Sequence, residues 1–220
     1  KTVGEYQLDK ITGAAIKIAT EPDPSEVTDE SNTTGGDADN TATTVDKLHI
    51  FVGDSRTVGL SNAMGCVSYD KLLQIRTEEN LTEYYLAEVG SGYSWYSTKA
   101  LPKLVKMLNE NPAATVILNH GINDLGNIDQ YIASYQWLIR VYPNTKFVIM
   151  SVNPVNRKLY KGYAKPANIM VFNQKMQAAF PNNFVNTYQY LQSMGFNTAD
   201  GLHYDSLTYM NLYNYMQPYL

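Results

Sequence analysis

The chain has 220 residues, 44% of them aliphatic or aromatic, enough for one sizeable domain with a buried core. Its 17 Lys and Arg against 21 Asp and Glu give a net charge of −4, without the basic surplus that marks a nucleic-acid-binding domain. No apolar run approaches the ~20 residues of a membrane span, and a single cysteine, Cys66, excludes an internal disulfide and a thiolate metal cluster.

The sequence opens on Lys1 rather than Met, as expected of a trimmed or mature product with any signal peptide already gone. Within residues 1–19, "YQLDKITGAAIKIA" has enough Ile and Ala for a short strand or helix, either a strap on the main domain or the remnant of an upstream module. From 20 to 46 the chain turns acidic and rich in Thr, Asn and Gly, with almost nothing to bury. Such a composition cannot offset the entropy of ordering, so a linker is expected there.

Residues 47–220 alternate between two patterns. "KLHIFVG", "YYLAEV", "TVILNHG", "KFVIMSV" and "FVNTY" are short apolar runs, often β-branched, as in strands buried on both faces. Between them "STKALPKLVKMLNEN", "NIDQYIASYQWLIRVYP" and "KPANIMVFNQKMQAAF" have helical spacing. This alternation predicts an α/β domain, a parallel sheet covered on both faces by helices. In such folds ligands bind beyond the carboxyl ends of the strands. The residues to weigh there are Asp54-Ser55, Gly90-Ser91-Gly92, Gly121-Ile122-Asn123-Asp124, Asn153 and the turn "ADGLHYD" from Ala199.

Taken singly, each has a plain structural explanation. Ser55 and Asn123 suit helix caps, Gly90 and Gly92 suit tight turns, and His203 suits a satisfied surface imidazole. Together they supply what acyl transfer by a serine requires. Ser55 would attack once His203 takes its proton, and Asp200, three residues before the histidine, would fix the imidazole's tautomer and steady its charge. The backbone N–H groups of Ser55 and Gly92 and the side-chain amide of Asn123 would stabilise the oxyanion.

These residues resemble the four blocks of the GDSL-type, or SGNH, hydrolases. "FVGDSRTVGL" matches the first block with Ser55 as nucleophile. Gly92 in "EVGSGYSW" matches the second, with Gly90 as alternative. "GIND" matches the third through Asn123, and "DGLH" matches the last through Asp200 and His203. The resemblance runs from about Leu48 to Leu220. It implies a three-layer α/β/α sandwich, flavodoxin-like, with a parallel five-stranded sheet in the order 2-1-3-4-5. The wording "GDSRTVG" is similar to a subset of exported proteins of Gram-positive bacteria, which implies a secreted or cell-surface enzyme.

One departure stands beside the nucleophile. Many members have Leu or Ile after the serine, whereas this chain has Arg56, either a contact to an anionic group of the substrate or a structural ion-pair partner. Trp95 and Tyr96 either stack on a sugar ring or pack under the following helix, and Tyr93 and Tyr204 flank the blocks and are candidates to line the mouth. Nothing points to a metal or cofactor: His49, His120 and His203 are scattered, without His-Glu-x-x-His spacing. An α/β-hydrolase elbow fits poorly because Thr57, not Gly, lies two residues beyond Ser55. With no evident long lid, the expected reaction is removal of a short acyl group, acetyl above all, from a small-molecule or glycan ester. The rivals are O-acyl transfer to a glycan or peptidoglycan and a non-catalytic glycan-binding module, which predicts loss of a triad member. The sequence does not fix the oligomeric state.

Overall fold

The computed structural model describes residues 6–8, 15–17, 47–68 and 72–220. The chain divides into two units, Lys1–Val45 and Asp46–Leu220. In the first, β1 (Tyr6–Leu8) pairs antiparallel with β2 (Ala15–Lys17), so the expected short strand or helix is a pair of short strands. The linker expected over 20–46 lies outside the described residues.

In the second unit β3 (Lys47–Gly53) is paired in parallel on both sides, with β6 (Leu81–Ala87) and β7 (Thr115–Asn119). β8 (Lys146–Met150) and the two-residue β9 (Phe184–Val185) continue the parallel sheet beyond β7. Numbered from β3, these five strands run in the expected order 2-1-3-4-5.

The sheet as a whole is larger than expected, with seven strands, and mixed. β4 (Val67–Ser68) and β5 (Leu73–Glu78) extend it antiparallel beyond β6. β5 enters β6 through the tight turn Glu79-Asn80, where Asn80 adopts φ 63°, a left-handed conformation that asparagine tolerates well. "LQIRTE" is a half-exposed outer strand with no continuous apolar run, so periodicity alone does not reveal it. The run "FVNTY" is strand only over its first two residues. Asn186 then accepts from the Gln189 N–H and caps α6 (Thr187–Met194), stopping the strand.

Successive side chains on the inner strands point to opposite faces. Phe51, Ile117, Val148 and Met150 pack with Leu60 of α1 (Ser55–Ala63) and with Tyr209, Leu212, Tyr213 and Met216 of α7 (Ser206–Met216). Ile50, Val52, Val116, Leu118 and Ile149 alternate with them and are equally buried. The other helices are α2 (Tyr93–Trp95), α3 (Leu101–Glu110), α4 (Ile128–Val141) and α5 (Pro166–Ala179). A π turn over Tyr96–Ala100 joins α2 to α3 just before Pro102, whose missing N–H removes one ordinary helical bond.

This order fixes where a ligand can sit. From β3 the sheet grows to β6 on one side and to β7 on the other, opening a crevice beyond their carboxyl ends. Ser55, the turn 88–92 and the loop 120–124 follow those ends, and Asn153 follows the end of β8 beside β7.

Candidate active site

Asp54 follows β3 and caps α1: its Oδ1 accepts from the Arg56 N–H at 2.9 Å. Ser55 is therefore the first residue of a helix, in the partial positive field of its N-terminus. Only 2% of Asp54 is exposed, and burial pushes its carboxyl up to about 6.

Ser55 Oγ lies 2.9 Å from His203 Nε2, and His203 Nδ1 lies 2.6 Å from Asp200 Oδ2. Burial works to raise the Asp200 pKa, but hydrogen bonds from the His203 ring and from the backbone N–H groups of His203 and Leu202, both at 2.8 Å to Oδ1, hold it well below the usual carboxylate range. An ionised Asp200 can only accept, so Nδ1 carries the ring proton and the Nε2 lone pair faces the serine hydroxyl. The three-residue spacing makes this local, because one carboxylate both closes the turn and grips the ring.

Across the crevice, Asn123 Nδ2 donates to the Ser91 carbonyl at 2.8 Å, which joins the third block to the second. An amide nitrogen has two hydrogens, so one remains for a ligand. Asp124 completes the joint. Its carboxylate accepts from the Tyr93 N–H, from Asn127 Nδ2 at 2.9 Å and from Tyr131 Oη at 3.0 Å. A Cβ at residue 92 would lie 2.6 Å from Asp124 Oδ2, so glycine is required there for space; its φ of −135° suits any residue. Gly90 differs: with φ 76° and open space around it, glycine is needed there for the turn itself.

The candidate substrate contacts separate. Arg56 is 2% exposed, and its guanidinium donates to the carbonyls of Leu202 at 3.1 Å, Asn153 at 2.7 Å and Pro154 at 3.0 Å, lying 5.2 Å from the Tyr204 ring centroid. It is a buried brace tying the histidine loop to the segment after β8, and it makes no ion pair among the described residues. Tyr204 is buried with its hydroxyl donating to the Pro154 carbonyl at 2.6 Å. Tyr96 is fully buried with its hydroxyl on Ser134, and Tyr93 is buried against Tyr96 and Tyr131. The three tyrosines belong to the core beneath the crevice because their rings fill the space under its loops. Trp95 is half-buried beside His120.

Of the other histidines, His120 is buried among Trp95, Tyr96 and Tyr131, and burial lowers its pKa to about 3. His49 sits 3.5 Å from the wholly buried Glu83, far back along β3. Burial pushes the Cys66 thiol up to about 12, which leaves Ser55 the better nucleophile candidate. Among the described residues no His, Cys, Asp and Glu group has the arrangement of a metal site, and no helix is long and apolar enough to cross a membrane.

The cap by Asp54 and the joint by Asp124 escape the motif reading. The first was detectable as an Asp immediately before a helix, whereas the second links residues 31 apart and has no local signal.

Neither a protein-family model nor a curated protein sequence matches the chain. Solved structures do. A protein from Streptococcus pneumonia named for platelet activating factor is 22% identical, with TM-score 0.55, over 82% of this chain and 86% of that one. A lipase/acylhydrolase from Enterococcus faecalis is 19% identical, with TM-score 0.54, over 76% and 91%. A catalytic mutant of an acetylxylan esterase from Geobacillus stearothermophilus is 13% identical, with TM-score 0.52, over 80% and 94%. With its seven-stranded, mostly parallel sheet between helices and with these likenesses, the chain has a fold shared by solved lipase and esterase structures, G-D-S-L family members among them.

Proposed function

We propose that this protein is a serine esterase that removes short acyl groups, acetyl above all, from carbohydrate esters. The observation that carries the reading is the continuous chain from Ser55 Oγ to His203 Nε2 at 2.9 Å and from His203 Nδ1 to Asp200 at 2.6 Å. The Ser55 oxygen attacks the ester carbonyl carbon while His203 Nε2 takes its proton, and Asp200 stabilises the imidazolium. The carbonyl oxygen becomes an oxyanion facing the N–H groups of Ser55 and Gly92 and the second amide hydrogen of Asn123. On collapse the C–O bond to the alcohol breaks and His203 protonates the leaving oxygen. Water then attacks acyl-Ser55, with His203 again as base, and releases the acid.

The acetylxylan esterase and lipase/acylhydrolase among the structural neighbours support an ester-hydrolysing role. Partial exposure of His203, 41% of its side chain, suits a bulky glycan better than a sealed lipid pocket. Exported character, read from the motif wording, would put the enzyme where cell-wall or plant polysaccharide esters are found. Turnover of p-nitrophenyl acetate tests the reading. Ser55→Ala should remove nearly all of it with the fold intact, and wild-type rates in that variant would reject the mechanism.

A further inference from the structure

We propose that the ester taken by this site is anionic, recognised by a cationic strap over residues 156–165 that crosses the mouth; the inference rests on the esterase reading above. The strap is fastened to both sides of the crevice. At one end the Asn156 N–H donates to the Gly201 carbonyl at 2.8 Å, within the turn that holds Asp200 and His203. At the other, Tyr163 Oη donates to the Ile122 carbonyl at 2.8 Å, next to Asn123.

Between and just beyond these pins stand Arg157, Lys158, Lys161 and Lys165, all exposed. Arg157 Nη1 donates to the Gly162 carbonyl at 2.9 Å and lies 5.7 Å from the Tyr160 ring centroid, while Lys161 Nζ donates to the Lys158 carbonyl at 2.9 Å. Those bonds shape the strap from within and leave its charge uncompensated. None of the four cations is ion-paired among the described residues.

The wider sequence sharpens the asymmetry. Between Asp129 and Asp200 there is no Asp or Glu but 7 Lys and Arg, in a protein whose net charge is −4. Four uncompensated cations on one short segment produce a local field that concentrates anions, and solvent-exposed charges of this kind act within roughly 10 Å at ordinary salt. Tyr163, 54% exposed, adds a ring face of the kind sugars stack on. Cations and an exposed ring beside an acyl-transfer centre suit an ester of an acidic glycan, with negative charge on carboxylate or phosphate groups.

Calorimetric titration of Ser55→Ala protein tests this without turnover. The probes are acetylated trigalacturonate and acetylated glycerol phosphate, each against an uncharged counterpart, the methyl-esterified trisaccharide and glycerol monoacetate. At low ionic strength an anionic probe should bind about 10-fold tighter than its counterpart, and the advantage should collapse at ~0.5 M salt. Adding Lys158→Gln and Lys165→Gln should cut that preference several-fold. Preference for the trisaccharide alone assigns the strap to carboxylate, and preference for the glycerol ester alone assigns it to phosphate. Equal affinity for charged and uncharged probes, absence of binding, or a preference unmoved by the two substitutions would overturn the proposal. Wild-type turnover of p-nitrophenyl acetate separates the two readings: turnover without charge preference defeats the strap alone, whereas charge-selective binding without turnover defeats the esterase.

Discussion

Changing Gly92 to Ala probes whether space at the second block sets the oxyanion geometry. The new Cβ would stand 2.6 Å from Asp124 Oδ2 and 2.8 Å from its Cγ, whereas ordinary contact begins at 3.4 Å. Something must move by about 0.8 Å, the difference between 3.4 and 2.6 Å. The Asp124 carboxylate is held by the Tyr93 N–H, Asn127 and Tyr131, so the strain falls on the main chain at residue 92. An oxyanion donor works at 2.7–3.1 Å, and a shift near 1 Å costs roughly 10²-fold, about 2.7 kcal/mol in transition-state binding. Gly92→Ala should therefore lower kcat on p-nitrophenyl acetate by about 10²-fold with KM little changed and thermal stability nearly intact. Asp124→Ala slows the enzyme by freeing the turn, but it also removes the obstacle. In that background Gly92→Ala should cost less than about 10-fold more, a coupling that a double-mutant cycle reads directly. Equal losses in both backgrounds would refute the steric account.

Two buried titratable groups give opposite pH signatures in urea unfolding. Asp54 binds its proton more tightly folded, at about 6 against an ordinary 3.8, so its charged form costs native stability at high pH, by about 3 kcal/mol at most, and the cost fades as pH falls through 6 toward 4. Asp54→Asn keeps a capping acceptor, so it should be more stable than wild type near pH 8, with the gap closing near pH 4; a gap that reverses sign would contradict this. His120 stays neutral when folded down to about 3, whereas the unfolded chain takes up that proton below 6.5, so acidification destabilises the wild type by about 2 kcal/mol at about pH 5. His120→Phe should remove that loss, and an unchanged acid sensitivity would show that His120 is not its source.

The parallel part of the sheet was legible because β3, β7 and β8 are continuous apolar runs whose burial on both faces admits almost nothing else. Ser55 and Asn123 were legible because each stands in the connection that follows such a strand, and Asp200 and His203 because a three-residue spacing lets one carboxylate reach the ring within a single turn. β4 and β5 were not, since strands half-exposed at a sheet edge lack a contrasting pattern. Tyr96 and Trp95 illustrate a different limit. Neighbours on a helical turn face directions about 100° apart, and which one meets the core depends on packing that the sequence does not display. Arg56 is the clearest case: a charged residue beside a nucleophile suggests a ligand contact, yet three carbonyls more than 90 residues away in the chain claim its guanidinium.

The central claim is that His203 activates the Ser55 hydroxyl. Labelling with a fluorophosphonate, followed by peptide mass spectrometry, tests it most directly, because only an activated serine reacts promptly with such a probe. One label per chain, on Ser55 and lost in His203→Ala, is the predicted result. A Ser55 that stays unlabelled, or that labels equally fast without the imidazole, would contradict it.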